Sequence, residues 1–207
     1  MKNNENGRSM VEMLGVLAII GVLSAGGLAG YSKAMFKHKL NTTMDQITMI
    51  VTNIRTMYGT QGNYDGLGKS SAVDLGIIPA VMVDDVAAVT GEHPKPRSTT
   101  LTNPFKGNVD IAPVNIANPS GESDDTGFKI VYGGLPKEAC IALATADFGS
   151  GAGSGFIGAQ IGSKVSGEYG KSTEGNAFSM ADSASGASDG AISVCASEDN
   201  QITWYFY

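Results

Sequence analysis

Residues 7–32 read GRSMVEMLGVLAIIGVLSAGGLAGYS, and the rest of the 207-residue chain is read outward from this stretch. Its only acid is Glu12, and the twenty residues 13–32 that follow carry no charge before Lys33. A helix of about 20 apolar residues is long enough to cross the hydrocarbon core of a bilayer. A carboxylate at the lip of such a span is costly unless it is solvated or paired. Glu12 therefore has two readings: a group solvated at the headgroup boundary, or one that meets a cationic partner when helices bundle. Gly15, Gly21, Gly26, Gly27 and Gly30 also have two. Small residues let apolar helices approach closely, and each glycine weakens a helix by about 1 kcal/mol. The segment either packs tightly or partly melts when copies assemble, or it simply carries the glycine common in membrane helices.

Upstream, residues 1–7 (MKNNENG) are short and polar. This is not the pattern of an ordinary secretory signal, whose apolar part is shorter and ends at a small-residue cleavage site. The small residues Ser24 to Gly27 leave a cut after the apolar run as an alternative. Downstream, Phe36, Leu40, Met44, Ile47, Val51, Ile54 and Tyr58 recur at helical spacing. Lys37, Asn41, Asp45, Thr48, Asn53 and Arg55 are read as the polar face. No proline interrupts residues 8–58. The expectation is one helix over 8–60, about 75 Å long at 1.5 Å per residue. It is apolar all round over 13–32, amphipathic after that, and stops near Gly59 or Gly62. Lys33, Lys37, His38 and Lys39 form a basic cluster just past the span. The positive-inside rule would put that side in the cytoplasm, which conflicts with an exported domain. The cluster is read as meeting lipid headgroups or acidic neighbours.

Residues 61–207 are read as one globular domain, since a chain of this size can bury a real core. The 28 glycines and a charged fraction of only 16% suit a loop-rich extracytoplasmic domain. The piece 80–89 reads as a short helix or a strand. Strands are expected at NVDIAPVNI (108–116), GFKIVYGG (127–134), GFIGAQIGSKV (155–165) and QITWYFY (201–207), and a short helix in LPKEACIALATADF (135–148). Pro136 suits the first helical turn, and residues 166–190 read as exposed loop. Cys140 and Cys195 are the only cysteines. An even count behind an export-like N-terminus suggests one disulfide. Closing a loop of about 55 residues should contribute about 4 kcal/mol in the chain-entropy model.

Little here points to catalysis. The net charge of −6 argues against nucleic acid as the main partner, because a polyanion needs a basic face. His38 and His93 are far apart, so no metal centre is expected. Asp84–Asp85 and Asp124–Asp125 lack EF-hand spacing and read as solvated turns. GSGAGSG (149–155) lacks the Lys-Ser/Thr ending of a phosphate loop. No nucleophile and base stand at readable spacing, so neither an enzyme nor a cofactor is expected.

The N-terminus resembles the type IV prepilin class in Gly7, Glu12 and the apolar run. It departs at Arg8, where the family usually has Phe or Met, and at Ala29, where a proline is common. LTNPFKGNVDIAPVN, TGFKIVYGGLPKEACIALAT and Cys195 with QITWYFY resemble the type IVb branch, in particular the bundle-forming pilins of enteric bacteria. The resemblance implies an α+β fold: a long N-terminal helix, membrane-spanning in its first half, packed on a C-terminal antiparallel β-sheet domain with a disulfide-closed C-terminal region. It implies a leader of residues 1–7 cut after Gly7 by a prepilin peptidase, and N-methylation of Arg8. It implies an assembly salt bridge from Glu12 to the amine of a neighbouring copy. The subunit would wait in the bacterial inner membrane and be polymerised by the assembly machinery there. The product would be an extracellular homo-oligomeric filament serving adhesion, aggregation, motility or DNA transfer. The alternatives are a pseudopilin of a type II secretion system, or a membrane-anchored binding protein that does not polymerise.

Overall fold

A run without proline and with apolar residues three or four apart folds as helix α1, Met10–Tyr58, 49 residues. The computed structural model describes residues 10–83, 100–115, 125–146, 148, 155–162, 164–165 and 190–207. The chain divides into two units, Met1–Lys39 and Leu40–Tyr207. In the first, α1 exposes its apolar residues. In the second, α1 buries Thr43, Gln46, Ile47, Ile50, Val51, Ile54 and Tyr58, with Leu40 and Met44 half-covered beside them. The helix stops at Tyr58, as expected. A Cβ on Gly59 would lie 2.6 Å from the Arg55 carbonyl oxygen.

The buried arc is wider than the stripe read from spacing, and two residues assigned to the solvent face leave it. The Asn53 amide donates to the Ile77 carbonyl at 2.9 Å. Arg55 is half-buried, its guanidinium carbon 5.8 Å from the centre of the Phe206 ring. Its Nε and Nη2 are buried and have no hydrogen-bond partner among the described residues. Burial lowers its pKa, and nearby Tyr64 partly offsets this; burial raises that of Tyr64, which Arg55 partly offsets. A cation over an aromatic face contributes about 0.5–2 kcal/mol, so the ring compensates for some of the lost hydration.

After α1 come helix α2 (Lys69–Asp74) and a 3₁₀ turn (Ala80–Met82). The piece read as helix or strand is therefore a 3₁₀ turn at its start, and Val83 then bridges Leu101. Residues 84–99 lie outside the described ones. The remaining elements are β1 (Leu101–Thr102), β2 (Asn108–Val114), β3 (Gly127–Leu135), α3 (Lys137–Ala144), β4 (Phe156–Ile161), β5 (Lys164–Val165), α4 (Ala191–Val194) and β6 (Asn200–Phe206). Pro136 is the N-cap of α3 rather than part of its first turn.

The described strands form a six-stranded sheet, ordered β1-β2-β3-β6-β4-β5, with antiparallel neighbours. The last strand of the chain thus lies inside the sheet, and its neighbours β3 and β4 come from earlier. Alternation sets which residues face the core. Ile111, Ile130, Trp204 and Ala159 stand in one row across β2, β3, β6 and β4, so the largest side chain is beside the smallest. Pro113, Phe128, Phe206 and Phe156 form the next row, with Phe128 and Phe206 stacked at 5.4 Å. β1 pairs only with Asn108 and Val109, so β2 is an edge at Pro113, where a missing N–H is tolerated.

The NPF turn is built by one buried side chain. Asn103 Oδ1 accepts from the Phe105 and Gly107 amides at 2.8 and 3.1 Å, an Asx turn, while its Nδ2 donates to the Gly133 carbonyl at 2.8 Å. The turn lies against the bulge between Tyr132 and Leu135, and a Cβ on Gly107 would overlap the Gly133 carbonyl. Asn103→Ala leaves two amides and a carbonyl without their partner. The expected loss is about 2–4 kcal/mol, read by urea unfolding with near-UV dichroism of Trp204.

Tyr132 is fully buried edge-on to Trp204, and its hydroxyl has no partner among the described residues. Burial raises its pKa above the usual 10. Above pH 10 the unfolded chain releases this proton and the folded chain does not. Tyr132 therefore adds a loss of stability as pH rises through that range, up to about 1.4 kcal/mol per pH unit. Tyr132→Phe should unfold at equal or higher denaturant at pH 7. It should also lose less stability than the parent between pH 10 and 11.

Candidate assembly site

The surface from Met10 to Tyr31 carries twelve large apolar side chains, each 53–84% exposed. The most apolar window of α1 has a mean hydropathy of 2.1, and none of it is buried. Fully covering one such side chain contributes about 1.5–3 kcal/mol. Covering what is exposed of the twelve would gain on the order of 10–25 kcal/mol, comparable with or above the whole stability of an ordinary domain. A cover from outside the chain, lipid or other helices, is strongly favoured. A Cβ built on Gly15, Gly21, Gly26, Gly27 or Gly30 would meet nothing within 4 Å. These positions leave room for a neighbouring backbone to come close.

Glu12 lies in the first turn of α1, exposed, with no charge on the helix between it and Lys33. The amide groups of a first turn favour an acid there. Gly7 and Arg8 lie outside the described residues. Lys33, Lys37 and His38 are exposed and Lys39 is half-buried. His93, the Asp84–Asp85 pair and Asp124 lie outside the described residues, among which no group of three or more His, Cys, Asp or Glu could hold a metal.

In the second unit the two cysteines pair. Cys140 on α3 and Cys195 at the C-cap of α4 are buried and joined, with Cα atoms 5.8 Å apart and 55 residues between them in sequence. Asn200 reinforces this corner. Its Nδ2 donates to the Leu135 carbonyl at 3.1 Å, and its Oδ1 accepts from Ser197. The bond ties the segment before β6 to the helix that follows β3, and so holds the chain's end in the sheet. The sequence reading does not single out Asn103 or Asn200, and it puts Arg55 on the polar face. Asparagine before a proline signals a turn, but the arginine and Asn200 carried no local cue.

A family model described as Bundlin matches residues 33–206. The chain belongs to the bundlin family. Outside that match, the likeness extends over the N-terminal helix. The chain is 26% identical to the major structural subunit of bundle-forming pilus from Escherichia coli O127:H6 (strain E2348/69 / EPEC), over 99% of this chain and 95% of that one. It is 25% identical, at the same coverage, to the subunit of the same description from Escherichia coli O111:H-. Among solved structures, a type IV b pilin from Salmonella typhi is 19% identical with a TM-score of 0.47, covering 79% of this chain and 97% of that one. A type IV pilin from Vibrio cholerae El Tor biotype is 14% identical with a TM-score of 0.48, covering 82% and 99%. The expected likeness to the bundle-forming pilins is thus shown at the level of the family. Cys140→Ser with Cys195→Ser should cost about 4 kcal/mol in the chain-entropy model. Thermal unfolding of the oxidised and double-serine chains measures it.

Proposed function

We propose that this bundlin is the repeating structural subunit of a pilus, anchored by residues 13–32 until it is assembled. The observation that carries the reading is the wholly uncovered apolar half of α1 in a member of this family. Lipid covers that surface before assembly, and the same surface of other copies covers it afterwards. The domain reading is a leader at 1–7, a helical assembly arm over 8–60 and a head over 61–207. A prepilin peptidase cuts after Gly7 and Arg8 becomes the methylated first residue. Machinery in the inner membrane then adds the subunit to an extracellular homo-oligomeric filament. The role is structural, and no catalytic step is assigned to the chain.

Glu12 provides the register. A carboxylate among apolar helices is strongly disfavoured without a partner. An amine at Arg8 of an incoming copy, cationic even when methylated, is such a partner. A subunit one step out of place would leave Glu12 unpaired, so the penalty for misplacement selects the correct stagger. The relatives named as subunits of bundle-forming pilus favour a pilus over a secretion pseudopilin.

The test is to shear surface fibres from cells expressing the chain and to weigh its N-terminus. A methylated Arg8 in the fibre supports the reading. A chain that keeps Met1, or is cut near residues 25–30, overturns it. Glu12→Ala should leave the chain folded and in the membrane, with the Cys140–Cys195 bond formed, while sheared fibre falls by at least about tenfold, as expected when loss of a buried pair costs several kcal/mol.

A further inference from the structure

We infer that Lys33, Lys37 and His38, with Tyr31 beside them, form a collar that binds the phosphate groups of anionic lipid in the leaflet at the Lys33 end of the span. The inference rests on the reading of residues 13–32 as a membrane anchor and adds a ligand to it.

The register along α1 places the collar. Residues 13–32 rise about 30 Å as a helix, which equals the hydrocarbon thickness of a typical bilayer. Lys33 is the first residue beyond that layer, and residues 37–39 stand about 6–9 Å further out. The headgroup layer on each side is about 5–8 Å deep. Lys33 and Lys37 therefore fall at phosphate depth when Glu12 lies at the opposite boundary, with His38 beside them. Tyr31 is 66% exposed at the last turn of the span, where aromatic rings with a polar tip settle at the interface. Lysine stems can lie along the apolar surface while their ammonium groups reach outward.

The helix supplies these cations with no counter-charge. No acid occurs between Glu12 and Asp45. The positions three and four residues from Lys33 and Lys37 hold Ala29, Gly30, Ala34, Phe36, Leu40 and Asn41, apart from each other. Lys33 and Lys37 lie one turn apart on the same side of the helix, an arrangement of like charges that weakens a helix unless an anion lies between them. Both are exposed, and neither makes an ion pair among the described residues. Lysines next to a span are attracted to an anionic leaflet. The collar also accounts for the conflict with the positive-inside rule. Its charges act after the domain has crossed, by holding an unassembled subunit at fixed depth.

The test uses the full chain purified in mild detergent and offered equal phosphatidylglycerol and phosphatidylethanolamine, with retained lipids counted by native mass spectrometry. Wild type should retain phosphatidylglycerol preferentially. K33Q/K37Q should lose about fivefold of that preference for each lysine removed, and K33R/K37R should keep it. Inorganic phosphate should not displace the lipid; if it does, the site binds free phosphate and the lipid assignment fails. No preference in wild type, or the same preference in K33Q/K37Q, overturns the collar. So does a K33Q/K37Q chain that keeps its lipids but no longer forms fibres, since the cations would then face a second copy. Alkaline carbonate extraction separates the two levels. A chain that washes out of membranes overturns the anchor and the collar together. One that stays but shows no lipid preference overturns the collar alone.

Discussion

An α-helix of this composition has to be covered along its whole length, and its two halves find cover by different means. From Leu40 onward the cover is in the chain itself. Ile47, Ile50 and Ile54 are fully buried, in the same core as Phe128, Trp204 and Phe206. From Met10 to Tyr31 the described residues offer none, and the exposed surface is too apolar to remain in water.

The sheet's strand order places the chain's last strand under similar constraint. β6 pairs with β3 on one side and β4 on the other, so neither neighbour has its full set of partners until residues 200–206 arrive. Such long-range pairing closes large loops, which is entropically costly before the contacts form. The Cys140–Cys195 bond reduces that cost, because it holds the chain five residues before β6 close to the helix directly after β3. Phe206 then serves two elements at once: it stacks on Phe128 and presents its ring to Arg55 on α1. A cation left partly dehydrated on the helix is compensated by a residue from the far end of the chain.

What was legible in the sequence is what is local. The helix could be read because its period held for 26 residues without a breaker, and β3 because Phe128, Ile130 and Tyr132 alternate with Lys129 and Val131. The cysteine pair followed from count and context. The position of β6 could not be read, because QITWYFY looks the same at an edge as in the middle; the difference lies in Ala159 making room for Trp204. Asn53 and Arg55 were misplaced for a related reason. Helical period gives the centre of a buried stripe, but the width of the buried arc depends on the surface against it. At Asn53 and Arg55 that surface is supplied by Ile77 and Phe206, which are remote in sequence. The candidate assembly site was legible as a helix with an acid at its lip, while its partners are in other molecules and leave no mark in a single chain.

The roles proposed for Glu12 and the collar put them at opposite ends of the uncharged run. Twenty residues without charge define a slab about 30 Å thick, and a charge within it would be expelled or paired. The chain places an acid at one boundary and cations at the other. In a membrane both ends are solvated, and the helix is fixed in depth. In the proposed filament each boundary acid would enter the apolar layer of its neighbours, where only a cation at matching height would satisfy it. The same charge would then be inexpensive for the stored subunit and selective in the filament. On that proposal, replacing the acid by an apolar residue would leave the anchor intact while removing the pair that holds one copy to the next. Fibre formation, rather than membrane insertion, would be the property that depends on it.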